Sequence, residues 1–211
     1  MSHLDGERWD LFCAVPKGVK SILDVGCGSG RGFQSFRQAG VRLTGVDFDA
    51  ASVEQARACL DDARTHDIER DHWPREFEGA FSVVAFADCL EHLVDPWSAL
   101  RSVKALLAPD GVVVASIPNA RHVRVVTKLL LGKWDYQKGA GTVQREHLRF
   151  FTRRTVIDMF LEAGFEEPKF FFPRETFHLN GVERALNTLT FGAATDLLYG
   201  SYTVQATPKR S

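Results

Sequence analysis

Val19-Lys20-Ser21-Ile22-Leu23-Asp24-Val25-Gly26-Cys27-Gly28-Ser29-Gly30 is the stretch on which the fold of this chain turns. An apolar run with the character of a buried strand breaks into glycines at alternate positions, with a carboxylate, Asp24, at its tip. Glycine adopts backbone conformations closed to other residues and leaves bare backbone that a ligand approaches closely. The segment therefore reads as a strand feeding a ligand-binding loop, with Asp24, Gly26, Cys27, Gly28 and Gly30 as candidate contacts. Cys27 is tolerated there because it is small. A tight strand-turn-helix connection with no ligand is the plainer alternative.

The spacing selects the ligand. A dinucleotide fingerprint needs glycine at its first, third and sixth places to seat a pyrophosphate on a helix N-terminus, and here Arg31 holds the sixth. Asp24 would repel a pyrophosphate but suits an ammonium group, directly or through water. A second strand, Val41 to Val46, ends in Asp47, twenty-one residues after Gly26. An acidic residue at that place accepts both hydroxyls of a ribose. The combination favours a cationic adenosyl ligand over a nicotinamide dinucleotide.

Outward from this loop, strand and helix signals alternate as in an α/β sheet with helices on both faces. An N-terminal helix (Leu4 to Cys13) precedes the first strand, and helices follow over Arg31 to Ala39 and Ala50 to about Leu60, the latter capped by Asp49. Phe81 to Phe86 reads as strand four, Pro96 to Leu107 as a helix, Pro109-Asp110-Gly111 as a turn and Val112 to Ile117 as strand five. A helix over Arg153 to Ala163 leads to strand six (Phe165 to Phe172), another helical piece and strand seven (Ser201 to Thr207). Ligands in such sheets bind beyond the C-terminal strand ends, which draws attention to Asp67 and Ile68 after strand three and Asp88 after strand four. Asp67 and Ile68 suit an adenine amino group and ring, and Phe48 the other ring face. A solvated loop acid and a core phenylalanine are the simpler readings.

The segments Asp24 to Gly30 and Val46-Asp47-Phe48 resemble the first motif and second strand end of the class I S-adenosylmethionine-dependent methyltransferases. The likeness runs from about Ser21 to Phe172. It implies a Rossmann-like seven-stranded methyltransferase sheet whose last strand is antiparallel, as one domain over 1–211 with 119–152 inserted as a substrate lid. The implied cofactor is S-adenosyl-L-methionine, leaving as S-adenosyl-L-homocysteine, with Asp88 among its contacts. The stretch from Ile117-Pro118-Asn119 through Gly132-Lys133-Trp134-Asp135-Tyr136 to His147-Leu148-Arg149-Phe150-Phe151-Thr152 further resembles a bacterial subgroup tied to glycosylation pathways.

Asp88-Cys89-Leu90-Glu91-His92 is the second chemical cluster. Its carboxylates and imidazole form a mixed oxygen and nitrogen set of the kind Mg²⁺, Mn²⁺ or Zn²⁺ accept. The element is similar to the acid-x-x-Glu-His of metal-assisted O-methyltransferases, of both the ubiquinone-pathway and small-RNA types, with Asp88 replacing the usual Glu and His147 where the RNA enzymes place a fourth ligand. A divalent metal is the less favoured reading. His92 and His147 are instead the acid/base candidates, since an oxygen acceptor must lose its proton and imidazole takes one near neutral pH. A purely structural histidine remains the bland account.

Acceptor preference belongs to the insertion, where Arg121, His122, Arg124, Lys128, Lys133, Lys138, Arg145, Arg149, Arg153 and Arg154 face only Asp135 and Glu146. Such a basic lid suits an anionic or sugar-containing small molecule; a solvated amphipathic helix explains it equally. With 211 residues, 45% of them hydrophobic, the chain is long enough for one α/β domain, and a net charge of −1 gives no field to recruit nucleic acid. No run of roughly eighteen apolar residues is present to span a membrane. Cys13, Cys27, Cys59 and Cys89 form no CxxC pair, which fits a reducing cytoplasm. The expectation is a cytoplasmic methyltransferase acting on oxygen, of undetermined oligomeric state. A metal-dependent RNA 2′-O-methyltransferase and a non-catalytic S-adenosylmethionine-binding module are the alternatives.

Overall fold

The computed structural model describes residues 6–137, 141–172 and 195–209. Seven strands within them form one sheet: β1 (Ser21–Val25), β2 (Arg42–Asp47), β3 (Asp62–Thr65), β4 (Phe81–Ala87), β5 (Leu107–Pro118), β6 (Lys169–Phe171) and β7 (Ser201–Ala206). Their order is β3-β2-β1-β4-β5-β7-β6, with β1 to β5 parallel and β7 antiparallel to both of its neighbours. The helices are α1 (Trp9–Phe12), α2 (Gln34–Gln38), α3 (Ala50–Ala56), α4 (Pro96–Val103), α5 (Val123–Leu130), α6 (Arg153–Glu162) and α7 (Thr195–Leu198).

Both faces of the sheet are covered, and this explains why its strands read as unbroken apolar runs rather than alternating ones. Along β4, Val84 and Phe86 join a core shared with Leu100 and Val103 of α4 and Phe160 of α6. Val83 and Ala85 point the other way, into a core with Leu11, Phe33, Val53 and Leu60. All of these side chains are buried. Local signals start the helices where expected: Asp49 accepts from the backbone N–H groups of Ala51 and Ser52, and Asp95 from that of Ser98 with Pro96 in the first turn. Thr152 and Thr155 form a reciprocal capping box on α6.

Several boundaries depart from the sequence reading, among them the N-terminal helix, which spans only Trp9–Phe12, and the helix from Ala50, which ends at Ala56. The helix after the glycine loop begins at Gln34 rather than Arg31, because the N-terminal segment docks on its entry: Arg8 N–H donates to Gly32 O at 2.9 Å and the Glu7 carboxylate accepts from Ser35 N–H. The helix from Pro96 ends at Val103 and tightens into a 3₁₀ turn over Lys104–Leu106. The Pro109-Asp110-Gly111 turn lies inside β5 as a bulge, since Phe81 pairs with Leu107 and Val83 with Val112. Strand β6 begins only at Lys169; Pro168 has no N–H to give a ladder, and Phe165 makes an isolated bridge with Pro208. The start of the expected N-terminal helix (Leu4), Lys138 and most of the helical piece before β7 lie outside the described residues.

The order of strands places the site. The chain steps outward from β1 to β2 and β3, then returns to the other side of β1 as β4, so the switch point lies between β1 and β4. Val25 pairs with both Val46 and Phe86. Gly26, Asp47 and Ala87 therefore stand at one level of the sheet, and Gly26 and Ala87 line a common cleft.

Candidate active site

The glycine loop is held from beneath by β2. Gly26 and Cys27 donate their N–H groups to Val46 O at 2.8 and 3.1 Å, and Gly28 N–H donates to Asp47 Oδ2 at 2.9 Å. Gly26, Gly28 and Gly30 all have positive φ, which explains the residue type at each. Their surroundings differ in an informative way. A Cβ on Gly30 would press on Ala56 and Leu60, whereas a Cβ on Gly28 would meet nothing within 4 Å. Gly30 is a packing glycine, and Gly28 faces the open cleft.

That cleft measures about 390 Å³ and is lined by Arg8, Asp24, Gly26, Cys27, Gly28 and Ala87, among others. Asp24 is buried and its Oδ1 has no hydrogen-bond partner. Burial pushes its carboxyl up to about 7, with Arg8 opposing and Asp47 adding to the rise. Such a group gains from an incoming cation. Asp47 accepts from Gly28 and, through Oδ1, from Asp49 N–H at 2.9 Å; a carboxylate has about four acceptor sites, so capacity for ribose hydroxyls remains. The adenine side is less built. Phe48 is 78% exposed, which excludes the core role and leaves its ring bare. Asp67 sits one strand beyond, where His66 N–H donates to Asp47 O. Its Oδ1 already accepts from Glu69 N–H, and Ile68 packs partly against the core. Asp47, Phe48, Asp67 and Ile68 are not among the residues that line this cleft, although Asp47 is joined to it through Gly28.

Asp88 follows Ala87, which lines this cleft, and itself lines a second cavity. Its φ is +50°, the one positive value among the described non-glycine residues. Ser116 Oγ donates to its Oδ1 at 2.7 Å, and Arg8 Nη2 lies 3.1 Å from its Oδ2. Next to it opens this second cavity of about 550 Å³, lined by Asp88, Glu91 and His92 after β4 and by residues of the insertion, His147 among them.

Glu91, His92 and His147 converge here, with one ligand-type atom of each within 4.8 Å of the others. His92 Nδ1 lies 3.0 Å from Glu146 O and His147 Nδ1 2.8 Å from Thr142 O. A carbonyl only accepts, so each neutral ring carries its proton on Nδ1 and presents a lone pair on Nε2. Burial lowers the His147 pKa, which favours that neutral form. Glu91 is fully buried with neither carboxylate oxygen hydrogen-bonded, and burial together with Asp88 pushes it up to about 8. Its Oε1 lies 4.0 Å from His147 Nε2. A buried orphan carboxylate facing two imidazole lone pairs fits a divalent cation. Asp88 is not part of that set, because its carboxylate is taken by Ser116 and Arg8. The four-ligand arrangement of the RNA-type alternative is thus not assembled.

The insertion over 119–152 closes on itself at its base. Asn119 bridges Phe151, Ala120 N–H donates to Phe151 O at 2.8 Å, and buried Asn119 accepts from Tyr202 OH at 2.7 Å. Its basic residues divide into two groups. Arg121 pairs with Asp196 at 3.0 Å, Arg154 with Asp158 at 3.8 Å, and Arg149 and Arg153 lie over Trp97 and Phe170. Arg124, Lys128 and Lys133 line the second cavity and have no ion pair among the described residues. Trp134 also lines it, braced edge-on by Phe150 at 5.3 Å. Arg8 and Ser116 are the site residues that sequence reasoning missed. No local signal marks Arg8, because only the tertiary fold carries it to β4.

This fold and loop define the class. Residues 7–167 match the family model described as a methyltransferase domain, and the chain belongs to that family, the S-adenosylmethionine-dependent methyltransferases. Its relatives are more particular. A ubiquinone biosynthesis O-methyltransferase of Haemophilus ducreyi is 37% identical over 122 residues, covering 54% of this chain and 51% of that protein. The protein of the same description from Vibrio campbellii is 37% identical over 153 residues, covering 70% and 64%. The chain thus spans between about half and two-thirds of the length of these relatives. A Thermotoga maritima crystal structure, described as an S-adenosylmethionine-dependent methyltransferase and possible histamine N-methyltransferase, superposes with a TM-score of 0.65 at 16% identity. That match covers 95% of this chain and 87% of the other, and it shows the fold. Among the described residues no helix is long and apolar enough to cross a membrane.

Proposed function

We propose that this chain moves the methyl group of S-adenosyl-L-methionine onto an oxygen of a small acceptor held under the 119–152 lid. The observation that carries the reading is a pair of cavities lined by consecutive residues, Ala87 in the one over the glycine loop and Asp88 in the one beside the two imidazoles. Methyl transfer from a sulfonium is an in-line displacement whose leaving group is already activated, so alignment supplies most of what the protein contributes. The oxygen nucleophile must also shed its proton. His92 and His147 suit that role because backbone carbonyls lock each ring with Nε2 as acceptor. Asp24 receives the methionyl ammonium, Asp47 the ribose hydroxyls, and Phe48, Asp67 and Ile68 the adenine.

Arg124, Lys128 and Lys133 favour an acceptor bearing a phosphate, carboxylate or nucleotide-sugar group. The relatives' printed activity agrees with O-methylation of a small molecule. A second reading adds a divalent cation, favoured by the unpartnered buried carboxylate of Glu91. Glu91, His92 and His147 would hold it, and its chemistry would be to lower the pKa of an acceptor hydroxyl.

The test is transfer of radiolabelled methyl from S-adenosyl-L-methionine to hydroxylated small molecules offered in pairs, with and without an anionic group. His92→Ala and His147→Ala should each slow turnover by roughly 10²-fold or more while leaving S-adenosyl-L-homocysteine affinity in place. Transfer at wild-type rates in both variants would remove the histidines from the chemistry. Calorimetric titration of EDTA-treated protein with Mn²⁺ and Zn²⁺ separates the two readings, since Glu91→Gln abolishes any binding at this site.

A further inference from the structure

We propose that Arg124, Lys128, Lys133 and Trp134 form a glycosyl diphosphate subsite in the second cavity, so that the methyl acceptor is a sugar carried on a diphosphate. The inference rests on the reading of this cavity as the acceptor site and names the class of molecule it takes. Helix α5 presents Arg124, Val125 and Lys128 to the cavity. Arg124 and Lys128 are four residues apart, so they share one face about 6 Å apart along the axis. The helix then closes in a Schellman turn. Gly132, at a φ of +72°, donates its N–H to Leu129 O, and Lys133 donates its N–H to Lys128 O, both at 2.9 Å. The chain is thereby folded back onto the helix end, and Lys133 and Trp134 join the cavity lining with Lys128.

The charges of this group choose the ligand. The three cations share their part of the lining with one acid, Asp135, which leaves an excess of two positive charges. None of the four has an ion pair among the described residues, whereas Arg121 and Arg154 are paired and Arg149 and Arg153 cover rings. Of the cavity's other acids, Asp88 is engaged by Ser116 and Arg8, and Glu91 faces His147 at 4.0 Å. A diphosphate diester brings two negative charges. A carboxylate or a phosphate diester brings one and leaves a cation unmatched. A phosphate monoester carries comparable charge at a single phosphorus, but these cations are spread over a turn of helix and the chain that returns from it, which suits two phosphoryl centres. The rest of the acceptor must bring a hydroxyl to His92 and His147, which line the same cavity of about 550 Å³. A sugar ring meets both demands at short range, with hydroxyls on its edge and an apolar C–H face for the indole of Trp134, which Phe150 braces at 5.3 Å. The other ester of the diphosphate belongs to a nucleoside or to a lipid; the cavity reads what the two share.

The experiment is calorimetric titration of EDTA-treated protein loaded with S-adenosyl-L-homocysteine. The probes are uridine diphosphate glucose, glucose linked through a diphosphate to farnesol, glucose 1-phosphate, glucuronate and inorganic pyrophosphate. The wild type should bind at least one of the two diphosphate esters roughly tenfold or more tightly than glucose 1-phosphate or glucuronate, and the tighter ester identifies the source. Lys128→Ala and Lys133→Ala should each weaken that ester by roughly tenfold. Arg154→Ala removes a cation outside the cavity and should leave it unchanged. Trp134→Ala should weaken the ester while pyrophosphate binds as before. Retained S-adenosyl-L-homocysteine affinity in each variant shows that the fold is intact. Glucose 1-phosphate or glucuronate bound as well as both esters, no binding of either ester, or an equal loss in Arg154→Ala and the lysine variants would overturn the proposal and leave the donor reading standing. A wild type that does not bind S-adenosyl-L-homocysteine loses the donor reading and this proposal with it.

Discussion

At the scale of single residues, the cofactor cleft is a place where each group has one task and a substitution should expose it. Asp47→Ala removes the proposed ribose acceptor and a brace for Gly28, and should weaken S-adenosyl-L-homocysteine by roughly 1.5–3 kcal/mol, measured by calorimetry. Gly28→Val places a branched side chain in open cleft at a φ of +50°. It should abolish binding while the circular dichroism spectrum stays native. Asp24 and Glu91 carry the pH dependence. Their folded carboxyls titrate near 7 and 8, far above the roughly 4 of an unfolded chain. At these two groups the folded state holds protons that the unfolded chain has released, so their contribution to stability of the ligand-free protein should fall as pH rises from about 4 to 8, against His66 and His147, whose lowered pKa values act the other way. Denaturation midpoints across that range check it, and Asp24→Asn with Glu91→Gln should flatten the slope. Legibility at this scale followed locality. Asp24, Gly28 and Asp47 announce themselves because their chemistry and their strand are contiguous in sequence. Arg8 does not, being an ordinary arginine in a short polar segment until the fold carries it across the sheet to Ser116.

At the scale of elements, the caps and the lid can be tested separately. Thr152→Ala removes the box that starts α6 and should cost about 1 kcal/mol in urea denaturation without changing cofactor affinity. Helix α5 is unusual in its orientation. Arg124 and Lys128 line the acceptor cavity, while none of its residues is buried and Leu129 and Leu130 are exposed. Its amphipathic pattern was plain in the sequence, but periodicity alone does not say which face looks inward, and here the polar face lines the site. Lys128→Glu should raise KM for an anionic acceptor by roughly tenfold and leave that for a neutral one unchanged. Other basic residues of the insertion and of the start of α6 are engaged elsewhere: Arg121 and Arg154 face carboxylates and Arg149 and Arg153 lie over rings. Element ends were misread where a distant segment intervenes, as Glu7 and Arg8 do at the start of α2, or where Pro168 denies β6 a donor.

At the scale of the whole molecule, one sheet carries both cavities, so occupancy of either is felt by the common core. A hundredfold excess of S-adenosyl-L-homocysteine over its Kd should add about 2.7 kcal/mol and raise Tm by roughly 5–11 °C in a thermal melt. The fold class was readable because two buried faces make strands into apolar runs, and because the glycine loop and Asp47 locate β1 and β2. Strand β7 carries a consequence of another kind. It threads between β5 and β6, and with Gly200 it supplies Ser201 to the acceptor cavity, whereas the cofactor cleft draws on residues from Gly6 to Ala87. Synthesis runs from the N-terminus at about 5–20 residues per second, so the two cavities come into being roughly 5–25 s apart. On the ribosome, the half that grips the cofactor is born first. All the residues that line the donor cleft are thus made before the strand that completes the acceptor cavity.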